Sequence, residues 1–167
     1  MTESPKSGLR AVLSNRHFRA LWLAQLLAQT SQNAISFILI VLVEKLTNLT
    51  MQTAITILAF TVPGVLFSPI AGVLVDRIPK KWVLVGSNAV RAIFTLSYVL
   101  IIAQMTGSPR LIAIYAVTFL TSTVGQFFAP AEGSTIPQLV GEGHLMQANS
   151  LFTLTLAVAQ VLGLMVL

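Results

Sequence analysis

Gly72-Val73-Leu74-Val75-Asp76-Arg77-Ile78-Pro79-Lys80-Lys81-Trp82-Val83-Leu84 decides how the rest of the chain is to be read. It is a short charged connection between two long apolar runs, about 52–75 and about 82–105, each long enough to cross a bilayer. Asp76, Arg77, Lys80 and Lys81 stand together in a chain with only ten Lys or Arg and five Asp or Glu. Charge inside hydrocarbon is costly, so this connection must lie at a water interface. Three cations in a short loop mark that interface as the cytoplasmic one. Gly72, one turn before Asp76, lets a neighbouring helix come close. Asp76, at the end of its helix, can pair with a loop cation or face the positive N-terminus of another helix.

Outward from this loop the same pattern repeats. Residues 1–20 are polar and basic, with Lys6, Arg10, Arg16 and Arg19 ahead of a first span at about 21–43. That places the N-terminal segment in the cytoplasm. Glu44, Lys45, Asn48 and Thr50 form a short outer loop, and Thr106 to Arg110 form another. A fourth span is expected at about 111–136, with Pro137 to Gln147 returning the chain to the inner side. A fifth runs over about 148–167, where the sequence stops inside an apolar run. Four full spans and a barely sufficient fifth read as the front part of a longer protein.

Composition excludes several classes. Apolar residues make up 55% and charged residues 9%, far below the charge content of soluble domains. Mean hydropathy is +0.84. The formal charge of +5 resides in loops, without the interleaved aromatics of a nucleic-acid surface, so topology accounts for it and no nucleic-acid partner is expected. The absence of cysteine removes disulfides and thiolate metal sites. His17 and His144 fall in flanking segments, and neither G-x-S-x-G nor H-E-x-x-H occurs. No catalytic residue, metal site or cofactor is expected, and no phosphate-cradling loop suggests direct ATP use.

The stretch from Gly72 to Leu84 resembles the loop between the second and third helices of the major facilitator superfamily, with pattern G-x-L-x-D-R-x-G-R-R-x-x-L. Gly72, Leu74, Asp76, Arg77 and Leu84 match; Lys80 and Lys81 keep the basic character; Pro79 replaces the second glycine and stiffens the turn. Asn15 to Gln25 is similar to the entry into the first helix of bacterial exporters of that superfamily. Phe127 to Glu132, Ile136 to Val140 and Ala148 to Leu151 resemble their fourth-to-fifth helix connection. The efflux branch with macrolide and siderophore exporters is the nearest in character. Gly163 departs from it, being followed by Leu164 instead of proline. The resemblance implies an all-α integral membrane fold, with 21–167 as about five helices of an incomplete N-terminal six-helix half. It also implies residence in the bacterial cytoplasmic (inner) membrane and a missing C-terminal bundle as partner. Gly72, Asp76, Arg77, Lys80 and Lys81 would form the gating motif.

A helix surrounded by lipid needs no polar face. Gln25, Gln29, Gln32, Asn33 and Ser36 nonetheless fall on one face of the first span, beside Trp22. Such a stripe lines a water-filled or substrate cavity; the alternative is interhelical hydrogen bonding. The fifth span adds a thinner stripe, Asn149, Thr153 and Gln160. Gly64, Ser68 and Gly72 form a small-residue packing face on the second span. Arg91 and Glu132 lie at comparable depth in the third and fourth spans, so a neutralising intramembrane pair is expected. Asn33 and Asn88 leave these positions without carboxylates, and proton coupling has little residue support here. The reading is a secondary transporter exporting a small amphipathic compound by alternating access across the bilayer. Its rival is a non-transporting membrane interaction or structural protein, or a truncated fragment.

Overall fold

The computed structural model describes residues 5–165. The side chain of Lys6 and the last two residues of the expected fifth span, Val166 and Leu167, lie outside the described residues. The order is α1 (Pro5–Ser14), α2 (Arg16–Thr47), α3 (Thr50–Asp76), α4 (Lys80–Gln104), α5 (Gly107–Val140), a 3-10 turn (Glu142–His144) and α6 (Leu145–Leu164). The fold is all-α, and α2 to α6 are each long and apolar enough to cross a membrane. Only 11–22% of the most apolar window of each is buried within the protein, so most of that apolar surface needs a non-aqueous solvent.

The corners follow from local chemistry. Asn15 stops α1 and starts α2: its Oδ1 accepts from the backbone amides of His17 (3.0 Å) and Phe18 (3.3 Å). Asn48 turns the α2–α3 corner with φ of 50°, a left-handed conformation that asparagine tolerates. Pro79 caps α4 at φ −58°, so the turn after Asp76 needs no left-handed residue and proline fits in place of glycine. The α4–α5 turn and the end of α5 do need one, supplied by Gly107 (φ 64°) and Gly141 (φ 72°).

One element goes beyond the sequence reading and one expected boundary moves. The basic N-terminal segment is helical over Pro5–Ser14, with Val12 buried. The fourth apolar helix does not end at Ile136 but continues through Pro137 to Val140. Membrane helices tolerate proline where the freed carbonyl finds another partner, and the helix ends instead at the left-handed Gly141.

The chain divides into two compact units. One comprises residues 1–37 and 133–167. Its core joins Val12 and Phe18 to Ile136, Ala148 and Phe152, with Trp22 and Leu139 packed against them. The Phe18 and Phe152 rings meet edge to face at 5.7 Å. Ala148, Phe152, Thr155, Ala159 and Gly163 form the buried face of α6 at helical spacing.

The second unit comprises residues 38–132. There α3 buries Thr56, Ala59, Pro63, Ala71 and Val75. The helix α4 buries Leu84, Ser87 and Tyr98. Tyr98 and Thr118 of α5 share a hydrogen bond of 3.0 Å between hydroxyls, and Tyr115 Oη donates to Gln52 Oε1 at 2.8 Å. Phe67 and Phe119 pack edge to face at 6.2 Å. The expected packing face of Gly64, Ser68 and Gly72 is mostly open. Ser68 is exposed, nothing lies within 4 Å of where a Cβ on Gly72 would be, and only Gly64 approaches a neighbour, Gln126 at 3.7 Å.

Candidate functional site: a polar stripe and a charged loop

The five polar residues of α2 all belong to the first unit, and their burial is graded. Gln25 is buried, whereas Gln29, Gln32, Asn33 and Ser36 are half-buried. Gln29 Nε2 donates weakly to Asn33 Oδ1 at 3.4 Å, one turn along the helix. Ser36 Oγ donates back to the Gln32 carbonyl at 2.8 Å, a bond that hides the hydroxyl against its own backbone. Below the stripe, Trp22 Nε1 donates to Thr155 Oγ1 at 2.6 Å, and Thr155 Oγ1 in turn donates to the Leu151 carbonyl at 2.7 Å. That pair gives the indole N–H an acceptor where α2 meets α6, so neither polar group is left unsatisfied at the contact.

Part of the stripe serves packing. A Cβ on Gly163 would stand 2.5 Å from Asn33 Cβ and 3.0 Å from the Ala34 backbone nitrogen, so α6 presses on α2 at this point. Only glycine permits so close a crossing. Gln160 is exposed on α6, and among the described residues no hydrogen bond joins it to the α2 stripe. The structure thus groups Gln25, Gln29, Gln32, Asn33 and Ser36 on one helix and leaves Gln160 beside the packed edge, which is marked by Ala159 and Gly163.

In the second unit the charged loop has one satisfied cation. Lys80 Nζ donates to the Asp76 carbonyl at 3.0 Å, at the negative end of α3 where a cation is favoured. Asp76, Arg77 and Lys81 are exposed, and among the described residues Asp76 and Arg77 form no ion pair. Arg91 is half-buried on the inward face of α4, its guanidinium 5.8 Å from the centre of the Phe128 ring, within cation–π range. Arg91 and Glu132 attract each other electrostatically. Glu132 Oε1 is buried without a hydrogen-bond partner among the described residues.

Sequence reasoning missed one residue of consequence. Asn15 Nδ2 donates to the Leu139 carbonyl at 2.7 Å, while its Oδ1 caps α2. One amide therefore ties the start of α2 to the last turn of α5. An asparagine just before an apolar helix is a capping signal; the partner 124 residues away leaves no local trace.

A family model described as Major Facilitator Superfamily matches residues 21–167. Two proteins of Bacillus subtilis (strain 168) are similar to the chain. "Uncharacterized MFS-type transporter YkuC" is 27% identical over 154 residues, covering 91% of this chain and 35% of that protein. "Uncharacterized MFS-type transporter YfiS" is 25% identical over 100 residues, covering 60% of this chain and 22% of that one. The chain thus spans about a third or less of the length of the relatives it matches. No solved structure matches it.

Proposed function

The chain belongs to the major facilitator superfamily, and from that premise we propose that it forms the N-terminal part of a permease exporting a small amphipathic compound. The observation that carries this reading is the amide-rich face of α2, Gln25 to Ser36, on a helix otherwise apolar enough to cross a membrane. Each primary amide offers two donors and an acceptor oxygen, more than a single bond along the helix uses, and holding the remainder in hydrocarbon is costly. A half-buried row of amides is therefore best accommodated beside water or a solute with both polar and apolar surface. Substrate would lie near the bilayer midplane against this face, and two helical bundles would rock about it. The second bundle would come from sequence that the relatives have and these residues do not, since the chain covers 35% of the longer match. In this reading the gating motif is Gly72, Asp76, Arg77, Lys80 and Lys81, and Gln160 joins the cavity from α6. Cation-rich inner segments support a cytoplasmic N-terminus, and the two bacterial relatives support residence in a bacterial cytoplasmic membrane. The work is carriage without covalent chemistry.

The test is export of an amphipathic fluorescent dye from efflux-deficient bacteria expressing the full reading frame. Gln29→Leu and Gln32→Leu should each slow export about ten-fold or more at unchanged membrane abundance. Export indifferent to both substitutions would remove the stripe from the substrate path. No export of any amphipathic dye by the parent would favour a non-transporting membrane protein.

A further inference from the structure

The surface of α3 that looks away from its buried side is not featureless. Pro69, Ile70, Val73, Leu74 and Arg77 line an open groove of about 450 Å³. Four of its five walls are apolar and exposed, and the fifth is Arg77, just beyond the last residue of the helix. At about 100° per residue the groove lies roughly opposite Gly64, Ser68 and Gly72, so the two faces do not compete for one occupant. From Pro69 to Arg77 the helix rises by about 12 Å, close to the depth of one leaflet from its headgroups inward.

We propose that this groove is a binding site for an anionic phospholipid, with one acyl chain along Pro69, Ile70, Val73 and Leu74 and the headgroup phosphate on Arg77. The apolar walls alone select nothing, because lipid tails are as apolar as leucine and gain little by exchanging neighbours. Selection comes from the cation that closes the groove. Arg77 is exposed and its side chain makes no hydrogen bond among the described residues, whereas the Lys80 side chain is held by the Asp76 carbonyl. A guanidinium matches two phosphate oxygens at once, which suits it to this place. Lys81 and the exposed Trp82 follow in the first turn of α4, one adding positive charge and the other an aromatic ring suited to headgroup level. Asp76 offsets part of the charge, but residues 76–81 still carry three cations against one anion. A second protein helix on the groove would have to bury Arg77 or find it a carboxylate, a demand a lipid phosphate meets at the interface. The inference rests on the membrane reading of the helices and is indifferent to what, if anything, the protein carries.

The test places a reporter in the groove. Val73→Trp in the Trp82→Phe protein is reconstituted into vesicles containing phosphatidylcholine and phosphatidylglycerol, one or the other brominated near the headgroup end of its chains. Signal from Trp22 is subtracted with the Trp82→Phe protein alone. Brominated phosphatidylglycerol should quench the groove tryptophan at a mole fraction roughly five-fold lower than brominated phosphatidylcholine, the effect of about one surface cation. Arg77→Gln should remove most of that preference, Arg77→Lys should keep part of it, and Lys45→Gln should leave it unchanged. Equal quenching by the two lipids overturns the proposal, as does a preference that survives Arg77→Gln. Absence of quenching by either lipid means that protein covers the groove, and it overturns the proposal equally. Glycerol phosphate in solution abolishing the preference would show headgroup binding without the groove, which also contradicts it. Val73 is exposed, so the reporter should not disturb folding; if it does, Ile70→Trp reads the same wall.

Discussion

Asn15 offers a sharp perturbation because its two halves do separate things. Its carbonyl oxygen caps α2 through the amides of His17 and Phe18, and its NH2 donates to Leu139 at the end of α5. Asn15→Asp keeps the cap and loses the donor; Asn15→Ala loses both. A helix cap is worth about 0.5–2 kcal/mol, and a hydrogen bond about 0.5–1.5 kcal/mol. The aspartate would also set a carboxylate against the Leu139 carbonyl, while gaining slightly from the α2 dipole. Asn15→Asp should therefore cost about 1 kcal/mol and Asn15→Ala about 2 kcal/mol. The assay is equilibrium unfolding by SDS in mixed micelles, followed by the fluorescence of Trp22, which packs in the same unit. Hydrogen exchange supplies the spatial readout: both variants should speed exchange over residues 139–145. Asn15→Asp matching the parent in stability and exchange would refute the tie to Leu139. Asn15→Ala within about 0.3 kcal/mol of the parent would refute the cap as well.

Further outcomes follow from other contacts. Gly163→Leu should force α6 from α2 at Asn33 and Ala34, costing about 1–3 kcal/mol and shifting Trp22 emission as the bond to Thr155 lengthens. Gly133→Ala, with nothing within 4 Å of the added methyl, should be nearly neutral in the same assay. Arg91→Ala and Glu132→Ala should each lower the yield of folded protein in the membrane, and exchanging the two charges should recover part of it; equal damage in single and double variants would dissolve the pairing. Single cysteines at Lys80 and Ser108 should label from opposite sides of the membrane, and labelling of both from outside would exclude the proposed topology.

The fold was legible where free energies are large. Twenty apolar residues in a row leave few options but a membrane helix, and charges as dense as Asp76 to Lys81 have to sit at its edge. What escaped notice depends on partners remote in sequence. The first helix is short and basic, and its place is fixed by Val12 entering a cluster with Phe152. Gly163 carries no local mark of the Asn33 it meets. The row Gly64, Ser68 and Gly72 has the spacing of a packing face, yet α3 buries the neighbouring row through Ala59, Pro63 and Ala71. Spacing identifies a face; it does not say which neighbour takes it. Pro137 likewise looked like a stop, though a membrane helix passes through proline more readily than a soluble one. For the stripe on α2, residue types and register were visible, but the burial of Gln25, the packing at Asn33 and the partial exposure of Gln29, Gln32 and Ser36 depend on neighbours remote in sequence.

The central claim is that this stripe borders water or substrate and not lipid. Residues 1–167 contain no cysteine, so single replacements there report cleanly once any cysteine elsewhere in the reading frame is changed to serine. Cysteines at Gln29, Gln32 and Ser36, and at the exposed apolar positions Leu23, Leu27 and Phe37, can be compared in intact membranes carrying the full reading frame. A maleimide reacts only with thiolate, which forms only where water reaches. The account predicts labelling at Gln29, Gln32 and Ser36, slowed by a transported compound, and little at Leu23, Leu27 and Phe37. Uniform resistance across both sets, or equal labelling of both, would contradict it.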